Sequence, residues 1–247
     1  MSITSEADWR GLREVGHVVH LTLEGLAAAT KPGVTTRELD AIAAGIFAAH
    51  GAQSAPALTY AFPGTVLISI NDEIVHGIPG DRRLAAGDVV KLDVTAVKDG
   101  YVADAARTVV LDGGSDEAYR LVACAEAAFL AALAVARAGT LVNAIGRAVH
   151  DTVLRHGFSI VPSLEGHGVG RAIHERPSVP NYFNPKQRDV LTEGLVLTIE
   201  PLITAGSNEA YEDEDGWTIR TMDGSLAAHH EHTLVIMAGE PVLLTAA

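Results

Sequence analysis

The sequence predicts an α/β (α+β) fold made of two halves related by a pseudo-twofold, with antiparallel pairing at its centre. Three observations carry that expectation: an apolar hairpin over residues 89–111, four amphipathic helices arranged in two pairs, and an ordered repeat of motifs. A chain of 247 residues with 48% hydrophobic content can bury a large core and is too apolar to be disordered.

Residues 7–30 place Leu12, Val15, Val19, Leu23 and Leu26 at spacings of three and four, the signature of a helix with one apolar face. Pro32-Gly33 ends it. Thr35 and Glu38 offer a capping box for a second helix through about His50, closed by Gly51. Residues 66–70 and 73–75 read as short strands before a turn at His76-Gly77-Ile78-Pro79. In the hairpin, Val89, Val90, Leu92, Val94 and Val97 form a buried strand, Asp99-Gly100 supplies the turn, and residues 109–111 lie on the return.

The order then recurs. Ser115 caps a helix to about Arg137, Ala138-Gly139 breaks it, and a second helix over residues 141–156 precedes Gly157. PGVTTRELDAIAAGIFAAHG (32–51) matches AGTLVNAIGRAVHDTVLRHG (138–157), and EIVHGIP (73–79) matches RAIHERP (171–177), aligning His76 with His174. AAGDVVKLDVTAV (85–97) matches LTEGLVLTIEPLI (191–203), aligning Asp93 with Glu200. A period of roughly a hundred residues is too long for a solenoid. It reads instead as a duplication inside one domain spanning 1–247, with halves of about 1–114 and 115–247.

Charge and cysteine content narrow the function. Lys and Arg total 18 against 31 Asp and Glu, a net −13, so the basic face that nucleic acid requires is missing. The single cysteine, Cys124, excludes an internal disulfide and a cysteine-based zinc site. The N-terminal residues are polar and charged, unlike a signal peptide. The most apolar helical stretch, 121–138, is interrupted by Glu126 and Arg137 and reads as too short for a bilayer. A cytoplasmic protein without membrane contact is expected.

Carboxylates then stand where apolar strands should not want them. Asp93 and Asp104 fall roughly opposite each other across the hairpin, and Glu200 sits in the apolar run LVLTIEPLI. Glu231 opens the terminal strand over residues 233–237, for which 217–220 is the expected hairpin partner. His167 lies in EGHGVG, where glycines let the backbone pass close to a site. Singly, each has a plainer explanation: a solvated strand end, a turn histidine, a salt-bridge partner. Together on corresponding elements, Asp93, Asp104, His167, Glu200 and Glu231 suit a pair of divalent cations bridged by carboxylates. His229, His230 and His232 flank Glu231, but alternation turns His230 and His232 to the other face, so solvent-facing or supporting roles are expected.

At these residues a resemblance becomes specific. SINDEIVHGIP, KLDVTAVKDGYVADAARTV, GHGVGRAIHERP, LTIEP and EHT resemble, in order, the signatures of type I methionine aminopeptidases in their short, bacterial-like form. The resemblance implies the pita-bread fold, a curved, mainly antiparallel sheet backed by helices. It further implies a dinuclear metal site: Asp93 chelates one ion, His167 and Glu200 bind the other, and Asp104 and Glu231 bridge. Co, Mn, Fe, Zn and Ni are all acceptable ions.

By the same resemblance the reaction is removal of an N-terminal methionine before a small second residue. A hydroxide held between the metals attacks the first peptide bond, with Glu200 as proton shuttle. His174 stabilises the oxyanion, His76 hydrogen-bonds the peptide, and Phe62 and Trp217 wall the methionine pocket. Implied partners are N-terminal methionine peptides and nascent polypeptides, with transient ribosome association; a monomer is expected. Ile173, Pro56, Thr59 and Tyr60 depart from commonly seen residues, which leaves pocket details open. Two rivals stand beside this reading: an Xaa-Pro peptidase of the same fold, and a non-catalytic binding protein.

Overall fold

In a computed structural model, which describes residues 1–246, the first half runs α1 (Glu6–Ala29), α2 (Thr36–His50), β1 (Gln53–Ser54), α3 (Ala55–Tyr60), β2 (Leu67–Ile70), β3 (Glu73–Val75), β4 (Val89–Lys98) and β5 (Tyr101–Val110). The second half opens with α4 (Asp116–Val135) and α5 (Val142–Arg155), followed by β6 (Ser159–Ile160), β7 (Glu165–Gly168), β8 (Glu175–Pro180) and β9 (Val196–Ile199). It closes with β10 (Leu202–Thr204), β11 (Ala210–Glu212), β12 (Ile219–Thr221), β13 (Ala227–His229), β14 (Glu231–Val235) and β15 (Val242–Leu243).

Local chemistry sets the helix ends. The Ser5 hydroxyl accepts from the Asp8 amide and starts α1. At α2 the Thr35 hydroxyl accepts from the Glu38 amide while the Glu38 carboxylate accepts from the Thr35 amide, a complete capping box. Gly51 then ends α2 in the left-handed region. Asp99 and Gly100, both at positive φ, make the two-residue turn joining β4 to β5, with register running from Lys98↔Tyr101 to Val89↔Val110.

The main sheet is antiparallel, in the order β1-β4-β5-β14-β9-β7-β8, with β2 also on β4 and β15 also on β14. Its centre is the contact of β5 with β14, where Ala106 faces Glu231 and Ala105 faces His232. Outward from that contact, β4 lies beside β5 as β9 lies beside β14, and each half has its helix pair on the same side. One core packs α1 and α2 against β4 and β5; a second packs α4 and α5 against β9 and the β13–β14 region. The two-half organisation read from the repeat is present in this topology.

Two expectations need correction. Residues 217–220 do not pair with the strand opened by Glu231. Instead β12 lies between β11 and β3 in a separate three-stranded sheet. The edges of β14 are already occupied, by β5 and then β15 on one side and by β9 on the other, which leaves no place for β12. The length argument against α4 also fails: at 20 residues this helix is long and apolar enough to cross a membrane. Its apolarity has another use here, since Leu121, Cys124, Ala125, Ala128, Phe129 and Ala132 are buried in the second core.

Candidate metal centre

The sheet register gathers the carboxylates. Asp93 on β4 faces Ala106 on β5, and Ala106 faces Glu231 on β14, so the three side chains share one row on one face. The methyl group of Ala106 leaves the space between the two acids open. Asp104 lies two residues along β5 from Ala106, hence on the same face and diagonal to Asp93. Glu200 follows directly on β9, the strand beside β14. Asp93, Asp104 and Glu231 are buried, and Glu200 nearly so.

Hydroxyls orient two of these acids in matching fashion. Thr95, opposite Asp104, donates to its Oδ1 at 2.9 Å, and Thr198 donates to Glu200 Oε1 at 2.9 Å. Thr233 ties the two central strands together, accepting from the Asp104 amide and donating to the Asp104 carbonyl. His167 on β7 donates from Nδ1 to the Gly168 carbonyl at 2.9 Å. Its Nε2 is therefore free, 3.5 Å from Glu200 Oε1 and 4.0 Å from Asp104 Oδ2.

Electrostatics then limit what the cluster can be. Burial costs several kcal/mol per ionised group even after relaxation. Four adjacent carboxylates would spend a large share of a folding stability of about 5–15 kcal/mol. Burial, reinforced by the charges of Asp104 and Glu200, holds Asp93 well above the usual carboxylate range. Burial pushes Asp104 up to about 7, against the lowering effect of the Thr95 hydroxyl. Glu200 and Glu231 are also raised well above normal, first by burial and then by the Asp104 charge. The neighbouring imidazoles are held neutral instead: burial, then His174, lowers His167 and His76 to about 4. Among the described residues no Lys or Arg pairs with these acids. Either protons or cations must.

The donors fit cations. Asp104, His167 and Glu231 bring one donor atom each within 4.8 Å of one another, and Asp93, His229 and Glu231 do the same. Glu231 Oε1 is buried without a hydrogen-bond partner among the described residues, an acceptor with lone pairs to offer. All five ligand candidates read from the sequence thus converge. His76 and His174 line the same cavity of about 240 Å³. His76 ends β3 with a positive φ, and the His174 ring stands 4.3 Å from that of His167. The Tyr60 hydroxyl and His174 Nδ1 share a hydrogen bond at 2.6 Å. Phe62 and Trp217 meet edge to face at 5.1 Å and, with Pro56, Tyr60 and Ile173, give the cavity an apolar end.

His230 and His232 turn away from the acids and pack on Phe129. His229 does not. It is 1% exposed, with Nε2 3.4 Å from Glu231 Oε2 and 3.9 Å from Glu200 Oε2. Sequence reasoning grouped it with its neighbours, although its place two residues before Glu231 is itself an alternation signal. The Thr95 and Thr198 hydroxyls were also missed, because threonine in a strand is unremarkable by type.

A family model described as metallopeptidase family M24 matches residues 10–238. Methionine aminopeptidase 2 of Bacillus subtilis is 40% identical over 247 residues, covering 99% of this chain and 99% of that protein. The crystal structure of a methionine aminopeptidase from Thermotoga maritima superposes with a TM-score of 0.97 at 30% identity, over 100% of both chains. A prolidase from Pyrococcus furiosus shares the fold at a TM-score of 0.80 and 21% identity; the match covers 99% of this chain and 65% of that one.

Proposed function

This chain belongs to metallopeptidase family M24, and we propose that it removes the N-terminal methionine from peptides and nascent proteins whose second residue is small. The observation that carries the reading is one cavity with four clustered carboxylates on its floor and an apolar end beside them. Relatives matched over their full length are methionine aminopeptidases, and the pita-bread fold is shared.

Asp93, Asp104, His167, Glu200 and Glu231 would hold two divalent cations, Asp104 and Glu231 shared, Asp93 on one side, His167 and Glu200 on the other. Oxygen and nitrogen donors of this kind accept Fe, Mn, Co, Zn or Ni. When bound, such ions supply Lewis acidity and an activated water at neutral pH. Glu200 takes the proton released during attack and returns it to the leaving amine. With Nδ1 accepting from Tyr60, neutral His174 carries its proton on Nε2 and can donate to the developing oxyanion. His76 hydrogen-bonds the peptide, and Phe62 and Trp217 receive the methionine side chain. Ligands drawn from both halves make the chain one catalytic domain. A cytoplasmic monomer that meets nascent chains transiently at the ribosome fits the same substrate.

Purified, cation-loaded protein should release methionine from Met-Ala-Ser but not from Met-Leu-Ser. Preferential cleavage of Xaa-Pro peptides would instead make it a dipeptidase of this fold. Absence of turnover with every divalent ion would leave a binding protein.

A further inference from the structure

His229 is the buried group that the proposed reaction leaves without a task. Both ring nitrogens are buried, and neither has a hydrogen-bond partner among the described residues. A buried polar atom left without a partner is destabilising, so an imidazole with two of them calls for a partner that the described residues do not supply. The backbone around the ring is fixed: Thr108 donates to the His229 carbonyl at 2.7 Å and accepts from the His229 amide at 2.9 Å. The ring itself is 1% exposed and turns Nε2 toward the acids, 3.4 Å from Glu231 and 3.9 Å from Glu200.

Glu231 Oε2 lies 3.4 Å from Nε2, yet the pair is not aligned as a hydrogen bond. Two donors sharing one cation at bonds of about 2.0–2.1 Å stand about 3.3 Å apart at a tetrahedral angle. Asp93 offers a further oxygen within 4.8 Å of both. The donor chemistry is also asymmetric without it. His167 gives an imidazole to one cation, whereas the position chelated by Asp93 would have carboxylate oxygens only.

We propose that His229 Nε2 is a sixth protein ligand of the dinuclear centre, giving the cation held by Asp93 an imidazole of its own. The proposal rests on the cation site described above but not on the peptide that the site cleaves. An imidazole donor strengthens binding of Co, Ni, Cu or Zn relative to Mn, which favours oxygen.

The test uses the metal-free full-length protein titrated with Co²⁺, followed by proton NMR and calorimetry without substrate. A cobalt-bound imidazole coordinated through Nε2 shows its Nδ1 proton as a strongly shifted, solvent-exchangeable resonance. Two such resonances are expected at two equivalents of Co²⁺, one lost in His229→Gln and the other in His167→Gln. Circular dichroism checks that each variant is folded. His229→Gln should also weaken one of the two binding events by about tenfold or more, the scale of lost site contacts. One resonance in the unaltered protein, with or without an affinity change in His229→Gln, overturns the assignment and reduces His229 to a neighbour of Glu231. Failure to cleave Met-Ala-Ser would count against the proposed function and leave the NMR result standing.

Discussion

At the scale of single residues, the acids depend on what orients them as much as on their own presence. Thr95→Val keeps the shape of the side chain and removes the hydroxyl that donates to Asp104. It should weaken cation binding by about 10–100-fold, read by calorimetry on metal-free protein. His174→Ala should lower kcat by about 10²–10³-fold while leaving cation affinity unchanged, because its role is to donate to charge that develops only in the transition state. Equal losses in kcat and in cation affinity would assign His174 to the metal shell instead. The five principal ligand candidates were legible in the sequence because Asp93, Asp104, Glu200 and Glu231 interrupt apolar strands and His167 sits among glycines. His229 was not, because three histidines in four positions hide the one that keeps step with Glu231. The chain breaks between β13 and β14 at His230, and that break cannot be read from alternation.

At the scale of elements, the hairpin is the part whose geometry the site needs most. Gly100 has φ +76, and a Cβ there strains the backbone by about 1–2 kcal/mol. Gly100→Val should lower the unfolding free energy by that much, read as a lower urea midpoint at unchanged m, and loosen the diagonal placement of Asp93 and Asp104. Thr35→Ala removes a capping box far from the acids and should cost about 1 kcal/mol of stability, with kcat unchanged. The helices and this hairpin were readable because their signals are local: caps, three-and-four spacing, and Asp-Gly. The short strands were less so. Three-residue strands such as β12 and β13 pair beyond their immediate neighbours, β12 with β3 as well as with the adjacent β11 and β13 with β10, and occupied edges on β14 leave β12 no place there. The apolar run of α4 was misjudged for a related reason, since its length reflects the sheet it covers.

At the scale of the whole molecule, the two halves bring acids to one axis that neither could hold alone. In the metal-free protein this has a sign. Asp104 titrates near 7 in the fold and near 3.8 unfolded, and Asp93, Glu200 and Glu231 are also raised. The folded state therefore binds more protons than the unfolded state, and stability from these groups falls as pH rises through their folded values. The histidines act oppositely, because His76 and His167 are lowered to about 4 and oppose folding only as pH drops below 6.5. Above pH 6.5 the four carboxylates work against one group of opposite sign, Lys91, whose ammonium burial lowers to about 7, and they outnumber it. Metal-free protein should lose thermal stability from pH 6.5 to 8.5, and a divalent cation should restore more of it at the higher pH. A melting temperature that rises with pH in this window would contradict the picture of acids awaiting cations.

The central claim, that these acids hold the cations that make the chain an aminopeptidase, is tested most directly by one titration. Methionine release from Met-Ala-Ser is followed as divalent cation is added to metal-free protein and to Asp93→Ala. No release is expected before addition, with a saturable rise in the unaltered chain and a rate at least about 10³-fold lower in Asp93→Ala at every concentration. Full activity in Asp93→Ala, or turnover by the metal-free protein, would contradict that claim.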